Sequence, residues 1–296
     1  MQLKQTPITL LDIPELAALG ITLSVKRDDM QHDIVSGNKL FKLFYHLEHC
    51  KKNNIKTIVT FGGAYSNHLH ATAYAAKLMN MKSVAIIRGE QILPLNPTLK
   101  DCTEWGMTLE PVSRSDYQIK DESIAIQNVL TRYAGAHIIP EGGSDLMGVR
   151  GAGLILDGVK QSDFDYIVCA CGTGTTLAGI ISQADKKVKV LGIAVLKGAS
   201  WMQGEVQNWL DKMDLKTQHL LPQWSVNTDY HFGGYGKIKP EITQFIDRFQ
   251  HDYNLPLEPI YTGKSMCGVL DLAKKGYFTK GSRILFIHTG GLQGAR

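Results

Sequence analysis

Lys39 is the residue of this chain best placed for covalent chemistry. It follows Ser36-Gly37-Asn38 and opens an apolar run that begins at Leu40, an odd setting for a solvated charge. An amine held this way could trap an aldehyde cofactor as a Schiff base. The plainer alternative is a surface lysine in the first turn of a helix, because lysine is mostly exposed. The two readings part on whether the rest of the chain supplies something for Lys39 to hold.

Glycine-rich loops are the candidates. Cys171-Gly172-Thr173-Gly174-Thr175-Thr176 lies between an apolar strand pattern and a helix pattern. Glycines let backbone N–H groups approach an anion, threonine hydroxyls donate further hydrogen bonds, and the following helix adds its N-terminal dipole. That combination favours a phosphate seat over a plain turn. In Gly62-Gly63-Ala64-Tyr65-Ser66-Asn67-His68, Ser66 or Asn67 either caps the next helix or faces a bound ring and a carboxylate. Gly233-Gly234-Tyr235-Gly236 sets Tyr235 between glycines, as a proton donor or as loop filler. Tyr261-Thr262-Gly263-Lys264-Ser265 and His288-Thr289-Gly290-Gly291 are two further polar strand-end loops.

Several function classes are disfavoured. The loop at Gly172 lacks the Gly-Lys-Ser/Thr ending of a P-loop, which argues against nucleotide hydrolysis. Leu177 stands where a dinucleotide fingerprint needs its last glycine, and the strand pattern at 188–195 runs into Leu196-Lys197 with no acid to bind a ribose. Cys169-Ala170-Cys171 has no second Cys or His pair to complete a metal site. The five cysteines sit mostly in apolar runs, which suggests thiols in a reducing cytoplasm. The 296 residues carry a net charge of +4 with no basic block, so nucleic acid is not an expected partner. No apolar run reaches about 18 residues, so no membrane span is expected. The N-terminal residues lack the apolar core of a signal peptide.

These loops must be positioned by strands alternating with helices. Strand patterns fall at 21–26, 57–61, 83–87, 108–112, 137–139, 166–170, 188–195 and 283–288. Helix patterns fall at 67–79, 98–105, 123–133, 149–159, 175–183, 201–210, 241–253 and 265–275. Such alternation predicts an α/β protein with mostly parallel sheets covered by helices, and ligands at the carboxyl ends of the strands. The length suggests about two domains.

Taken together and in order, Ser36-Gly37-Asn38-Lys39, Thr60 to His68, Pro140-Glu141-Gly142-Gly143-Ser144, Cys171 to Thr175, Pro259 to Met266 and His288 to Gly291 resemble one family. It is the 1-aminocyclopropane-1-carboxylate deaminase/D-cysteine desulfhydrase family, pyridoxal-phosphate enzymes of the two-domain, tryptophan-synthase-β-like fold (fold type II). The resemblance runs nearly end to end. It implies that Lys39 holds pyridoxal 5'-phosphate as a Schiff base and that Asn67 meets the ring's phenolic oxygen. Gly172, Thr173, Gly174, Thr175 and Thr176 would bind the phosphate. Ser66 and His68 would lie near the substrate carboxylate, with Tyr235 and Tyr261 flanking the substrate. Lys39, Ser66, Tyr235 and Tyr261 are the expected catalytic groups. A smaller α/β domain, residues 45–155, would be inserted in a larger one made of 1–44 and 156–296. A homodimer acting on a small amino acid is also implied.

Two activities of the family are distinguished by two positions. Cyclopropane deaminases carry glutamate after the tyrosine of Tyr-x-Gly-Lys-Ser and leucine before the last Gly-Gly; here these are Thr262 and Thr289, the D-cysteine desulfhydrase pattern. A carboxylate beside the ring nitrogen favours a protonated ring and a stronger electron sink, whereas a hydroxyl favours a neutral one. Thiolate is a good leaving group and needs less of a sink than cyclopropane opening does. The expectation is therefore β-elimination from D-cysteine to pyruvate, ammonia and sulfide, with Thr262 or Thr289 at the ring nitrogen. Release of 2-oxobutanoate from the cyclopropane acid is the alternative, and a phospho-ligand-binding protein without chemistry is the alternative of another class. Phe41 stands where the family commonly has arginine, and His70 is an unusual residue after Leu69.

Overall fold

The computed structural model describes residues 2–35, 37–90, 93–213 and 221–295. Ser36 of the lysine motif lies outside them. The strands are β1 (Ile8–Leu11), β2 (Thr22–Lys26), β3 (Thr57–Gly62), β4 (Lys82–Arg88), β5 (Met107–Val112), β6 (His137–Ile139), β7 (Tyr166–Cys171), β8 (Lys189–Ala194), β9 (Trp224–Asn227) and β10 (Arg283–Ile287). They form two sheets. One has the order β1-β2-β10-β7-β8-β9 and is parallel except for the antiparallel edge strand β1; the other has the order β5-β4-β3-β6 and is parallel throughout.

Eleven helices cover them among the described residues: α1 (Pro14–Ala18), α2 (Asn38–Lys52), α3 (Asn67–Leu78), α4 (Pro97–Glu104), α5 (Arg114–Ile119), α6 (Ile124–Arg132), α7 (Leu146–Gly153), α8 (Thr175–Gln183), α9 (Met202–Lys212), α10 (Pro240–Tyr253) and α11 (Thr262–Lys274). The central strands β7 and β10 are near-continuous buried runs, so alternating side chains give them two apolar faces. In the larger sheet, Tyr166, Val168, Ile284 and Phe286 pack with α10 and α11, while Ile167, Cys169, Leu285 and Ile287 pack with α7, α8 and α9. In the smaller sheet, Ile58 packs on α2 and α3, and Val59, Phe61, Val84 and Ile86 pack on α5 and α6.

Helix α2 joins the two halves. Its Phe41 belongs to the core of the larger sheet, while Leu40, Leu43 and Leu47 belong to that of the smaller. The smaller sheet takes all its strands from 57–139. The domain borders expected at 44/45 and 155/156 fall inside α2 and inside a 3-10 turn, Leu154–Leu156.

The helix expected at 149–159 starts earlier and stops sooner. Asp145 accepts the N–H of Gly148 at 2.8 Å and so fixes the start of α7 at Leu146. Glycines make α7 a close-packing helix: a Cβ on Gly151 would stand 2.1 Å from the Phe41 carbonyl oxygen, and one on Gly179 of α8 would stand 2.4 Å from that of Val149. Strands β1 and β9, and helices α1, α2 and α5, have no counterpart in the sequence patterns above. β1 is exposed at three of its four residues and β9 is half-buried throughout, so neither alternates clearly.

The start of α2 is set by Gly37. Its φ is 62°, its N–H donates to the Asp28 carbonyl at 2.8 Å, and a Cβ there would lie 1.9 Å from the backbone oxygen of Thr289. Asn38 N–H donates to that same oxygen at 3.2 Å. Neither the left-handed backbone nor the contact with Thr289 leaves room for a side chain. Gly37→Ala is expected to lose about 3 kcal/mol of stability, from overpacking and backbone strain together. Urea denaturation measures it, and an unchanged midpoint would show that the turn can relax.

Candidate active site

The carboxyl ends of β3, β7 and β10 and the first turn of α2 surround one cavity of about 530 Å³. Lys39, Ser66, Asn67, His68, Gly172, Thr173, Gly174, Thr176, Tyr235, Tyr261 and Thr289 all line it. Residues far apart in the chain, singled out for their chemistry, thus share a wall.

Lys39 is the second residue of α2, half-buried, and burial lowers its pKa to about 8. Asn38 beside it donates from Nδ2 to the Thr176 hydroxyl at 2.9 Å and ties the lysine turn to α8. Lys42 stands one turn further on, is 2% exposed, and also lines the cavity. Burial first and the charge of Lys39 second push its pKa well below the usual lysine value, with Asp145 opposing. Two amines one turn apart in a low-dielectric floor call for an anion between or beside them.

The loop after β7 has the form of an anion seat. Gly174 has a φ of 79°, and a Cβ on it would meet Val206 at 3.0 Å. A Cβ on Gly172 would meet the Tyr261 ring at 3.1 Å. The hydroxyls of Thr173, Thr175 and Ser144 form a closed ring with separations of 2.9, 3.0 and 3.0 Å. Backbone N–H groups at the start of α8 complete the seat.

On the opposite wall, Ser66 caps α3: its Oγ accepts the N–H groups of His68 and Leu69 at 3.2 and 3.3 Å. The capping role and the cavity-facing role therefore coincide, and the hydroxyl proton remains to be donated. Asn67 Oδ1 accepts from Gln293 Nε2, and Gln293 Oε1 accepts from the Thr98 hydroxyl at 3.1 Å. His68 has a defined tautomer. Thr60 gives its hydroxyl proton to the Ile139 carbonyl at 2.8 Å, so His68 Nε2 must donate to Thr60 Oγ1, also at 2.8 Å. Its Nδ1 is then a buried lone pair with no hydrogen-bond partner among the described residues. Burial, followed by the charges of Lys39, Lys42 and His46, keeps the ring neutral. A lone pair suits a donor and repels a carboxylate, so the place beside a substrate carboxylate expected for His68 fits this tautomer poorly.

Tyr235 and Tyr261 meet at 6.1 Å between ring centroids and 67° between planes. Burial, then the neighbouring Tyr235, hold the Tyr261 phenol protonated well above the usual range.

The two threonines expected at a ring nitrogen separate. Thr289 lines the cavity; Thr262 does not. Thr262 is fully buried, accepts the Glu258 N–H at 2.9 Å and lies 3.1 Å from the Glu258 carboxylate. Glu258 is itself committed, accepting the N–H groups of Ile260, Tyr261 and Thr262 at the start of α11 at 2.8, 2.8 and 2.5 Å. The Thr289 turn is held by His288, whose Nε2 donates to the Pro256 carbonyl at 2.7 Å and whose Nδ1 accepts the Gly290 N–H at 3.2 Å. This neutral form agrees with its pKa, which burial lowers.

Asn38, Ser144 and His288 lie in the stretches quoted above but were given no role there, and Lys42 and Gln293 join the site as well. Lys42 had a signal, three residues beyond Lys39. Gln293 had none, because only the fold brings it near.

The residues fit pyridoxal phosphate: a depressed lysine, and a glycine and threonine anion seat with Lys42 near it. Comparison with known proteins agrees. The family described as pyridoxal-phosphate-dependent enzyme matches residues 1–290, and the chain belongs to it. A Pyrococcus abyssi protein provisionally named 1-aminocyclopropane-1-carboxylate deaminase is 34% identical over 98% of this chain and 90% of its own length. The mitochondrial bifunctional D-cysteine desulfhydrase/1-aminocyclopropane-1-carboxylate deaminase of Arabidopsis thaliana is 30% identical over 98% and 77%. A crystal structure of an ACC deaminase homologue superposes with a TM-score of 0.82 at 29% identity, covering 98% of this chain and 90% of that one. Within the larger family the chain falls in the 1-aminocyclopropane-1-carboxylate deaminase/D-cysteine desulfhydrase group, with the type II fold, and it is a pyridoxal-phosphate-dependent lyase.

Only the neutral amine of Lys39 can attack an aldehyde, and its fraction rises with pH through the lowered value. The rate of cofactor uptake by the cofactor-free protein is expected to climb with pH and level off above about 8. Stopped-flow absorbance measures it; a rate still rising tenfold per unit past pH 9 would contradict a buried, depressed amine.

Proposed function

We propose that the enzyme catalyses β-elimination from D-cysteine, giving pyruvate, ammonia and sulfide. The observation that carries this reading is Thr289, a hydroxyl and not a carboxylate, on the cavity wall at the end of β10. Thr262 is engaged with Glu258, and Glu258 caps α11 away from the cavity. When bound, pyridoxal phosphate supplies an electron sink for a carbanion at Cα of an amino acid. With the Thr289 hydroxyl and no carboxylate beside it, the ring nitrogen would make a moderate sink, which suffices when thiolate leaves.

The chain's own groups then take these roles. Gly172 to Thr176 and Lys42 hold the phosphate. Asn67 donates to the ring oxygen. Ser66 donates its hydroxyl proton to the substrate carboxylate, and backbone N–H groups at the start of α3 assist. Lys39, as a neutral amine, would remove the Cα proton. Tyr261, kept protonated, and Tyr235 would give the leaving sulfur its proton. The Cα–H and Cβ–S bonds break, and the released enamine takes up water to give pyruvate and ammonia. In this reading residues 45–155 are the smaller inserted domain. The same reading takes the enzyme as a cytoplasmic homodimer; its five free thiols suit a reducing compartment.

A second reading, deamination of 1-aminocyclopropane-1-carboxylate to 2-oxobutanoate, is favoured by the names of the relatives. Incubation with each substrate separates the two. We expect pyruvate and sulfide from D-cysteine, and 2-oxobutanoate at least tenfold more slowly or not at all. The reverse order would overturn the threonine argument. Lys39→Ala is expected to lower turnover by about 10³-fold or more, as removal of a general base does.

A further inference from the structure

Either end of the Asn67 side-chain amide could face a ligand. Amide oxygen and nitrogen are nearly isosteric, and which end faces a ligand is fixed by partners. One end of Asn67 is already taken. Gln293, just beyond the Thr289-Gly290-Gly291 turn, gives its Nε2–H to Asn67 Oδ1. The other end of Gln293 is taken in turn: its Oε1 receives the hydroxyl proton of Thr98, in the first turn of α4, at 3.1 Å. Asn67 and Thr98 flank the smaller sheet, whereas Gln293 follows the last strand of the larger one. The two residues bonded here, Asn67 and Gln293, are 226 positions apart.

The Asn67 nitrogen lies beside Gly291: a Cβ there would stand 2.8 Å from Asn67 Nδ2, so glycine leaves room for that NH₂. Asn67, Gly291 and Gln293 all line the cavity.

We propose that Gln293 is a positioning residue that fixes the Asn67 amide with its NH₂ end toward the cofactor's ring oxygen. The inference rests on the reading that Asn67 meets that oxygen. A hydrogen bond donated there stabilises negative charge on the ring oxygen. Gln293 thereby sets the ionisation of the bound cofactor without touching it. The opposing arrangement runs the chain backwards: a threonine hydroxyl accepts as well as donates, and Asn67 would then turn its oxygen to the ring.

Gln293→Glu tests this because a carboxylate can only accept. It would draw the Asn67 NH₂ to itself and leave an oxygen facing the ring. The measurement is the pH titration of the visible cofactor band of the loaded protein, with cofactor affinity measured alongside. We expect the titration midpoint of Gln293→Glu to rise by about one pH unit, and cofactor affinity to fall about tenfold. Gln293→Ala and Thr98→Val should shift the midpoint less and in the same direction. A structural defect alone would lower thermal stability without moving the midpoint. The proposal is overturned if Gln293→Glu and Gln293→Ala both keep the wild-type midpoint and affinity, or if Gln293→Glu alone keeps the wild-type midpoint, as the reversed chain requires, because residue 293 there already accepts from the Asn67 NH₂. A Lys39→Ala protein that still shows the band would instead defeat the assignment of the cofactor site itself.

Discussion

The contact between Gly37 and the backbone oxygen of Thr289 is the constraint on which the site depends. It brings the N-terminus of α2 against the end of the central strand β10, so Lys39 and Thr289 face one cavity. Further bonds lock the same junction. Asp28, paired in the interior with Lys26, offers its carbonyl to Gly37, and His288 holds the turn that carries Thr289. Asn38 reaches Thr176 and adds the phosphate-type loop to the same rigid unit. A lysine on a loop would wander; here it stands on the first turn of a helix bridging two cores.

The electrostatics follow from that geometry. Lys39, Lys42 and His68 line one cavity, and each has its proton affinity lowered chiefly by burial. Burying cations costs stability unless an anion compensates. A phosphate placed against the glycine loop would provide it, which links cofactor binding to stability. The tyrosines on the other side behave oppositely. Burial keeps Tyr261 protonated, so one cavity holds a base that is easily neutral and an acid that is hard to ionise. That division suits removal of a proton at one carbon and delivery of one to a leaving group.

Much of this was legible in the chain. The helix after Gly172-Thr173-Gly174 spans Thr175–Gln183, as the sequence pattern has it, because a left-handed glycine marks its start and apolar periodicity its length. The short strand β6 was equally plain. What the sequence concealed has physical reasons. Helix α2 begins without a side-chain cap, at a glycine held by a distant carbonyl. Thr262 and Thr289 look alike in sequence, yet one is the partner of a buried glutamate and the other lines the cavity. The tautomer of His68 depends on Thr60 and Ile139, and the orientation of Asn67 on Gln293. None of these pairings has a local signature.

The central claim is that Lys39, and neither Lys42 one turn away nor Lys264 beyond Thr262, forms the bond to the cofactor. Borohydride reduction of the loaded protein makes that bond permanent, and peptide mass spectrometry then locates it. The account predicts a single pyridoxyl adduct on Lys39. An adduct on Lys42 or Lys264, with Lys39 unmodified, would contradict it.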